Sequence, residues 1–248
     1  MINLSSNSKK LTLIMFFITL IGVTIAYKYY ENINSLEDPR ILHIKKMHLK
    51  YNLLITDNKT TEVLSMLDSM DVEYEKIPHY SNSFERGVIY TDKAAVYLSM
   101  ALYQARDEAE KAKFLDIAED HIKTSLTYYE NWEKEYSVFD EVQLKERVSS
   151  DFSDINLDNQ ENIIEKRISL IQFALQEMSR RYSVTYTNLG IVMRHKLLQD
   201  SSIVYYKKAL DLWEDNHTAK SNLNVLMGEK PIKRGFIEKM FPPERKED

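Results

Sequence analysis

Apolar residues recur along most of the chain at the spacing of α-helices. One stripe, with intervals of three or four residues, consists of Phe114, Ala118, Ile122, Ser125 and Tyr129. Side chains at such intervals share one face of a helix. The same pattern predicts a helical hairpin over residues 39–70, a long helix over residues 92–112 and further helices from residue 162 onward.

Proline and glycine are distributed in a way that does not suit a fold of many short strands. No proline occurs between Pro78 and Pro231, and no glycine occurs between Gly87 and Gly190. Turn-rich β folds need both residue types to separate their strands. Because the intervening sequence is rich in residues that favour helices, we predict an all-α fold.

Two segments mark breaks in the helical pattern. Asp38 followed by Pro39 predicts a helix start, with Asp38 as the N-cap and Pro39 at the first helical position. Residues 133–160 are polar and acidic, and we predict a long loop or insertion there.

An apolar run near the N-terminus lacks the polar positions found elsewhere. Residues 11–27 contain no charged side chain and are bounded by Lys10 and Lys28. At about 1.5 Å per residue the run would form a helix of roughly 25 Å, close to the ~30 Å hydrocarbon core of a bilayer. We predict a transmembrane signal-anchor, with a cleaved signal peptide as the alternative.

The cations that flank this run predict its orientation. Two lysines precede the run, whereas Lys28 behind it is followed by Glu31. Positive charge favours the cytoplasmic side of a membrane. We therefore expect residues 1–10 in the cytoplasm, residues 28–37 as a linker, and the main domain in an extracytoplasmic location, which is the periplasm in a bacterium.

A recurrence with a period of 34 residues is present in the last third of the chain. Asn188-Leu189 recurs as Asn222-Leu223. This period is the length of a tetratricopeptide repeat (TPR). Over residues 183–216 the chain resembles that family. The repeat packing positions are occupied by Tyr186, Leu189, Gly190, Ser202, Tyr206 and Ala209.

The resemblance implies a fold for most of the chain. Residues 38–228 would form a TPR-like α-solenoid of stacked helical hairpins, closed by a capping helix over residues 217–228 and followed by a tail of residues 229–248. Small residues such as Gly190 and Ser202 would let paired helices approach closely. A helical bundle without repeats remains the alternative.

Charge and composition narrow the possible functions. The 248-residue chain has a net charge of −5 and contains no cysteine. An acidic chain lacks the basic footprint of a nucleic-acid-binding protein, and a chain without cysteine forms neither disulfides nor thiolate metal sites. The sequence has no phosphate-binding loop and no catalytic motif, and its histidines lack ligand-spaced partners. We expect a protein that is not an enzyme and uses neither a cofactor nor a metal.

The TPR resemblance points to the binding of a protein or peptide partner. In that family, side chains of the first helix of each repeat line a concave groove. The corresponding positions in this chain are Thr187, Asn188, Ile191, Arg194, His195 and Asn222. Asn188 and Asn222 would hold a peptide backbone, and Arg194 would meet a carboxylate. The implied function is a membrane-anchored scaffold or adaptor that assembles an envelope complex.

Two functions of other classes remain open. A membrane-tethered sensor would bind a small ligand within the helical array, and an enzyme would carry a site dispersed over several helices. A large apolar pocket with converging polar groups would favour the sensor, whereas a dry cleft with paired titratable groups would favour the enzyme.

Overall fold

The computed structural model describes residues 19–20, 22–24, 37–57, 59–155, 157 and 159–232. Within these ranges the chain is helical and contains no strand, which confirms the all-α prediction. From residue 37 onward the α-helices are α1 (Leu42–Thr56), α2 (Thr60–Glu75), α3 (Phe84–Tyr103), α4 (Glu108–Tyr136), α5 (Glu141–Ser150), α6 (Gln160–His195), α7 (Gln199–Leu212) and α8 (His217–Leu226). Short 3₁₀ helices precede α1 and α3, at Pro39–Ile41 and Pro78–Tyr80.

The prediction of an N-terminal transmembrane helix is wrong for the part of the chain that the structure describes. No helix there is both long enough and apolar enough to cross a membrane. The longest helices, α4 and α6, carry charged residues along their length. The same finding contradicts the predicted localisation, that of a single-pass membrane protein with an extracytoplasmic domain. Most of residues 11–27, the flanking residues 1–10 and 28–36, and the tail beyond residue 232 lie outside the described residues.

Several helix starts follow local capping signals. The side chain of Asp38 accepts a hydrogen bond from the backbone N–H of Arg40 at 2.9 Å, which confirms the predicted N-cap. Asp107 and Asp140 cap α4 and α5 in the same way, and Asp140 does so within a reciprocal capping box with Gln143. The cap at Asp107 explains why a new helix begins at Glu108, rather than one helix continuing to residue 112.

The polar segment over residues 133–160 is mostly helical, unlike the predicted loop. The helix α4 continues to Tyr136, and α5 occupies Glu141–Ser150. Leu144, Val148 and Phe152 are buried against α4 and α6. Three apolar side chains at intervals of four residues suffice to hold this short polar helix on the core.

The helices form antiparallel pairs that pack in chain order. The pairs are α1 with α2, α3 with α4, and α6 with α7, and α8 packs on the last pair. Successive pairs meet through α2 against α3 and through α4 against α6, while α5 lies against α6. Each helix therefore buries its apolar face mainly against helices that are close to it in sequence.

Two long helices join the parts of the hydrophobic core. One cluster of buried residues lies among α3, α4, α6, α7 and α8, and a second lies among α4, α5 and the first half of α6. A third cluster lies among α1, α2 and the start of α3. Since α4 and α6 contribute to two clusters each, they connect the last hairpin to the middle of the molecule.

The glycine inside α6 is in direct contact with an aromatic ring. A Cβ atom at Gly190 would lie 2.5 Å from Cε1 of Tyr206, a side chain with no exposed surface. The hydroxyl of Ser202 donates a hydrogen bond to the Gly190 carbonyl oxygen at 2.7 Å. The other assigned packing residues, Tyr186, Leu189 and Ala209, are also buried. The absent side chain of Gly190 is what allows α6 and α7 to pair at this distance.

The α3–α4 pair repeats this contact at a different point along the hairpin. A Cβ atom at Gly87 would lie 2.5 Å from Cε1 of Tyr129, and Ser125 donates to the Gly87 carbonyl oxygen at 2.8 Å. In both pairs the serine lies four residues before the tyrosine. The two hairpins thus use one packing device, a glycine on the first helix and a serine–tyrosine pair on the second.

Candidate functional site

A cavity of about 900 Å³ lies between α1 and the first half of α6. We call it the α1–α6 groove. Its walls and floor are formed by Glu37, Ile41, Leu42, Lys45, Lys46, His48, Leu49, Tyr74, Phe84, Glu85, Trp132, Arg167, Leu170, Ile171, Phe173 and Ala174. The chain reaches this arrangement because α3 and α4 form a floor and leave α1 and α6 apart on either side of it.

Both walls of the groove present apolar side chains to solvent. On α1, Leu42 and Leu49 are 42% and 68% exposed. On α6, Leu170 and Phe173 are 38% and 55% exposed. Single exposed apolar residues are ordinary, but a group that faces one cavity from two helices makes that cavity a candidate binding surface.

A buried ion pair crosses the floor of the groove. The guanidinium Nη1 of Arg167 lies 2.6 Å from Oε1 of Glu85, and the Arg167 guanidinium also stacks over the ring of Tyr80. Burial by itself would raise the pKa of the Glu85 carboxyl, but the charge of Arg167 and the hydrogen bonds to the carboxylate together outweigh burial and hold that pKa below its usual value. Both groups therefore stay charged at neutral pH, joining α3 to α6.

Two polar atoms beside this ion pair have no hydrogen-bond partner among the described residues. One is the indole Nε1 of Trp132, a side chain that is almost completely buried, and the other is Oε2 of Glu85. Trp132 packs against Phe84, with the ring centroids 5.3 Å apart. A buried polar atom without a partner costs about 1–3 kcal/mol, so these two atoms are places where a bound molecule could gain a hydrogen bond.

The rim on the α1 side carries basic side chains. Lys45 pairs with Glu37, and Glu37 also pairs with Lys166 of α6 at 2.8 Å. Lys46 is exposed beside the apolar wall. His48 is half-buried, and this burial lowers the pKa of its imidazole, so His48 is neutral at pH 7. The groove is thus apolar in its walls and cationic along α1.

The six residues assigned to peptide binding lie elsewhere, and none of them lines the α1–α6 groove. Thr187 is buried, and its hydroxyl accepts a hydrogen bond from Asn216 at 2.9 Å. Ile191 packs against the core, and His195 lines a polar cavity of about 300 Å³ beside the α3–α4 turn. Asn188, Arg194 and Asn222 are partly exposed on α6 and α8.

Sequence reasoning missed the groove because its walls are distant in sequence. Its floor residues Glu85, Trp132 and Arg167 belong to no sequence motif. One signal was available on α1, where Leu42 and Leu49 alternate with lysines and histidines and no acidic residue occurs. A helix whose apolar side chains are matched only by cations is unusual in a chain with a net negative charge.

Comparisons with known proteins add no family to this description. No family model matches the chain, and neither a curated protein nor a solved structure matches it. The TPR resemblance therefore stays a prediction from residues 183–216.

Proposed function

We propose that this protein is a helical-repeat interaction module of the TPR-like type that binds a segment of a partner protein in the α1–α6 groove. The observation that carries the proposal is the pair of exposed apolar walls, Leu42 and Leu49 on α1 facing Leu170 and Phe173 on α6. A cavity with apolar walls on rigid, paired helices suits the capture of side chains from another chain.

The free energy available from burying the groove walls favours reversible association. Burying these four partly exposed side chains at about 1–2 kcal/mol each supplies roughly 4–8 kcal/mol. That is the order of the entropic cost of associating two molecules. Charges and additional contacts would therefore determine the affinity and the choice of partner.

A binding role is better supported than a catalytic one. The titratable pair in the floor, Glu85 and Arg167, is held as a mutual ion pair at 2.6 Å. A carboxylate whose pKa is lowered by such a partner is a poor proton donor at neutral pH. The pair is well suited to hold α3 and α6 at a fixed separation beneath the walls.

A second candidate function is the binding of a small amphipathic ligand. The groove volume of about 900 Å³ falls within the range of about 300–1,000 Å³ that is typical of small-molecule sites. Polar groups converge on it from Trp132, Glu85 and Arg167. These features are the ones expected of a ligand sensor.

In-cell crosslinking with the full-length tagged chain tests the proposed function. We expect a defined partner protein to be recovered with the unmodified chain and to be reduced at least tenfold by Leu49→Asp combined with Phe173→Asp. Val204→Asp is the matched control, because Val204 is 61% exposed on α7, away from the groove. Equal recovery with the groove variant would contradict the proposal. A small molecule that co-purifies in native mass spectrometry and is lost with the same variant would favour the second candidate instead.

A further inference from the structure

We infer that the segment bound in the α1–α6 groove is an amphipathic α-helix with acidic residues beside its apolar stripe. This inference rests on the proposed function and specifies the chemistry of the partner. It follows from the backbone of the walls, from the spacing of their apolar side chains and from the charge of α1.

The walls offer few backbone groups to a bound chain. The α6 wall lies inside a helix, and beyond its first turn α1 also has its N–H and C=O groups paired within the helix. An extended peptide in an apolar groove would leave its own backbone groups without partners, and each such group costs about 1–3 kcal/mol. A helix satisfies its backbone internally, so it is the conformation that enters this groove at the lowest cost.

The length of the walls fits two helical turns. Leu42 and Leu49 are seven residues apart on α1. At about 1.5 Å per residue this spacing is roughly 10 Å. A partner helix with apolar residues at positions i, i+4 and i+7 presents a stripe of about the same length. Its side chains can therefore fill the space between the α1 leucines and Phe173.

The charge of the α1 wall determines which charged side chains are favoured beside the apolar stripe of the partner helix. Helix α1 carries no acidic residue, although the chain as a whole has a net charge of −5; Lys45 is paired with Glu37, and Lys50 lies outside the groove lining. Lys46 is exposed where it lines the groove. Acidic side chains beside the apolar stripe of a bound helix would complement this rim, whereas basic ones would be repelled.

Synthetic peptides test the inference on the purified full-length chain by fluorescence anisotropy. The probe is a labelled peptide of about 15 residues, long enough to form a helix, with leucines at i, i+4 and i+7 and flanking glutamates. Matched peptides replace the glutamates by lysines or place a proline at the centre. We expect the acidic peptide to bind about fivefold more tightly than the basic one, and the proline peptide not to bind.

Two variants connect the result to the groove. Leu49→Asp should abolish binding of the acidic peptide, and Lys46→Glu should reverse the preference between the acidic and the basic peptide. Both positions are exposed, so neither change should affect folding. Circular dichroism and the urea unfolding midpoint verify this.

The outcomes separate the inference from the proposed function. If the proline peptide binds as tightly as the acidic peptide, the bound segment is not a helix and the inference is overturned. If Lys46→Glu still prefers the acidic peptide to the basic one, the claim that the bound helix carries acidic residues beside its stripe is overturned. If the crosslinking experiment recovers a groove-dependent partner but no peptide binds, the inference fails and the proposed function stands. If decanoate binds in a Leu49-dependent manner and no peptide does, the partner is a small amphipathic anion and the inference is overturned.

Discussion

At the scale of single residues, the contact between a glycine and a tyrosine ring sets how closely helices pair. Gly190 and Gly87 each face a buried ring, of Tyr206 and Tyr129, at a distance that no Cβ atom tolerates. Alanine at such a site gains about 1 kcal/mol in helix propensity but adds an overpacking cost of about 1–3 kcal/mol. Because the rings are enclosed by the core, the overpacking cost is expected to be the larger effect.

Gly190→Ala should therefore lower the free energy of unfolding by about 1 kcal/mol. Urea denaturation followed by circular dichroism measures the change. If the ring of Tyr206 causes this loss, the effect of Gly190→Ala on stability should change sign in the Tyr206→Leu variant. With Tyr206→Leu already present, the ring is gone, and the same Gly190→Ala change should stabilise the protein by up to about 1 kcal/mol. A loss of stability in both backgrounds would show that the ring is not the cause.

The sequence pointed to one of these two glycines. Gly190 lies only 12 residues from Ser202, so the contact falls within one 34-residue repeat and its pattern is visible. Gly87 lies 38 residues from Ser125, at the far end of a longer hairpin, where no local pattern connects them. Contacts near a turn are accessible to sequence reasoning, whereas contacts far from it depend on the lengths of both helices.

At the scale of elements, a network of buried charges holds α2 against α3. Oδ1 of Asp71 accepts from Arg86 Nε at 2.7 Å, and Oδ2 accepts from the Tyr90 hydroxyl at 2.9 Å. Lys93 Nζ lies 3.7 Å from the same carboxylate. Asp71, Arg86 and Lys93 are all largely buried. Asp71 is thus the main counter-charge of Arg86, while Lys93 also pairs with the exposed carboxylate of Asp68 at 2.8 Å.

Asp71→Asn should destabilise the protein by about 3 kcal/mol, because it removes the buried counter-charge that is hydrogen-bonded to the buried Arg86 guanidinium. Thermal and urea unfolding measure this loss. Glu75→Gln is the matched control, since Glu75 is 65% exposed and lies 3.9 Å from Arg86. We expect the control to change stability by less than about 0.5 kcal/mol. Similar losses in both variants would show that burial is not what gives the Asp71 network its strength.

At the scale of the whole molecule, Asp92 connects helices that do not form a pair. The hydroxyl of Tyr51 on α1 donates to Oδ2 of Asp92 on α3 at 2.8 Å. Burial raises the pKa of the Asp92 carboxyl, even though the bond from Tyr51 and the charge of Arg181 act in the opposite direction. The folded state therefore carries an unfavourable charge at neutral pH, and this affects global stability.

The sign of the pH dependence follows from linkage. Below the unfolded-state pKa of about 3.8, Asp92 is neutral in both states. Above that pKa the unfolded state loses its proton while the folded state still holds it. The stability of the fold therefore falls as pH rises, until the pH exceeds the raised folded-state pKa of Asp92. Asp92→Asn keeps an acceptor for Tyr51 and removes the charge. It should raise the melting temperature at pH 7 and have little effect near pH 4.

Melting curves at several pH values check this prediction. Asp200→Asn is the control, because Asp200 is exposed in the first turn of α7. A melting temperature for Asp92→Asn that is lowered at pH 7 would contradict the prediction, since it would mean that the charge at this position stabilises the fold.

The sequence by itself determined the helical class, the capping of the first helix and the placement of Gly190 in a helix. These properties depend on residues within about one repeat of each other, and they follow from side-chain spacing and from the hydrogen-bonding needs of helix ends. The helical segment over residues 133–160 was misjudged because three buried side chains, not its polar composition, determine its conformation.

Only the tertiary structure decided where a binding surface exists. The α1–α6 groove joins residues 37–49 to residues 167–174, which are separated by more than a hundred positions in the chain. Its existence depends on α3 and α4 filling the space beneath the two walls and on no other described helix covering them. Periodicity shows which face of a helix is apolar, but the stacking of all the hairpins determines whether that face is covered.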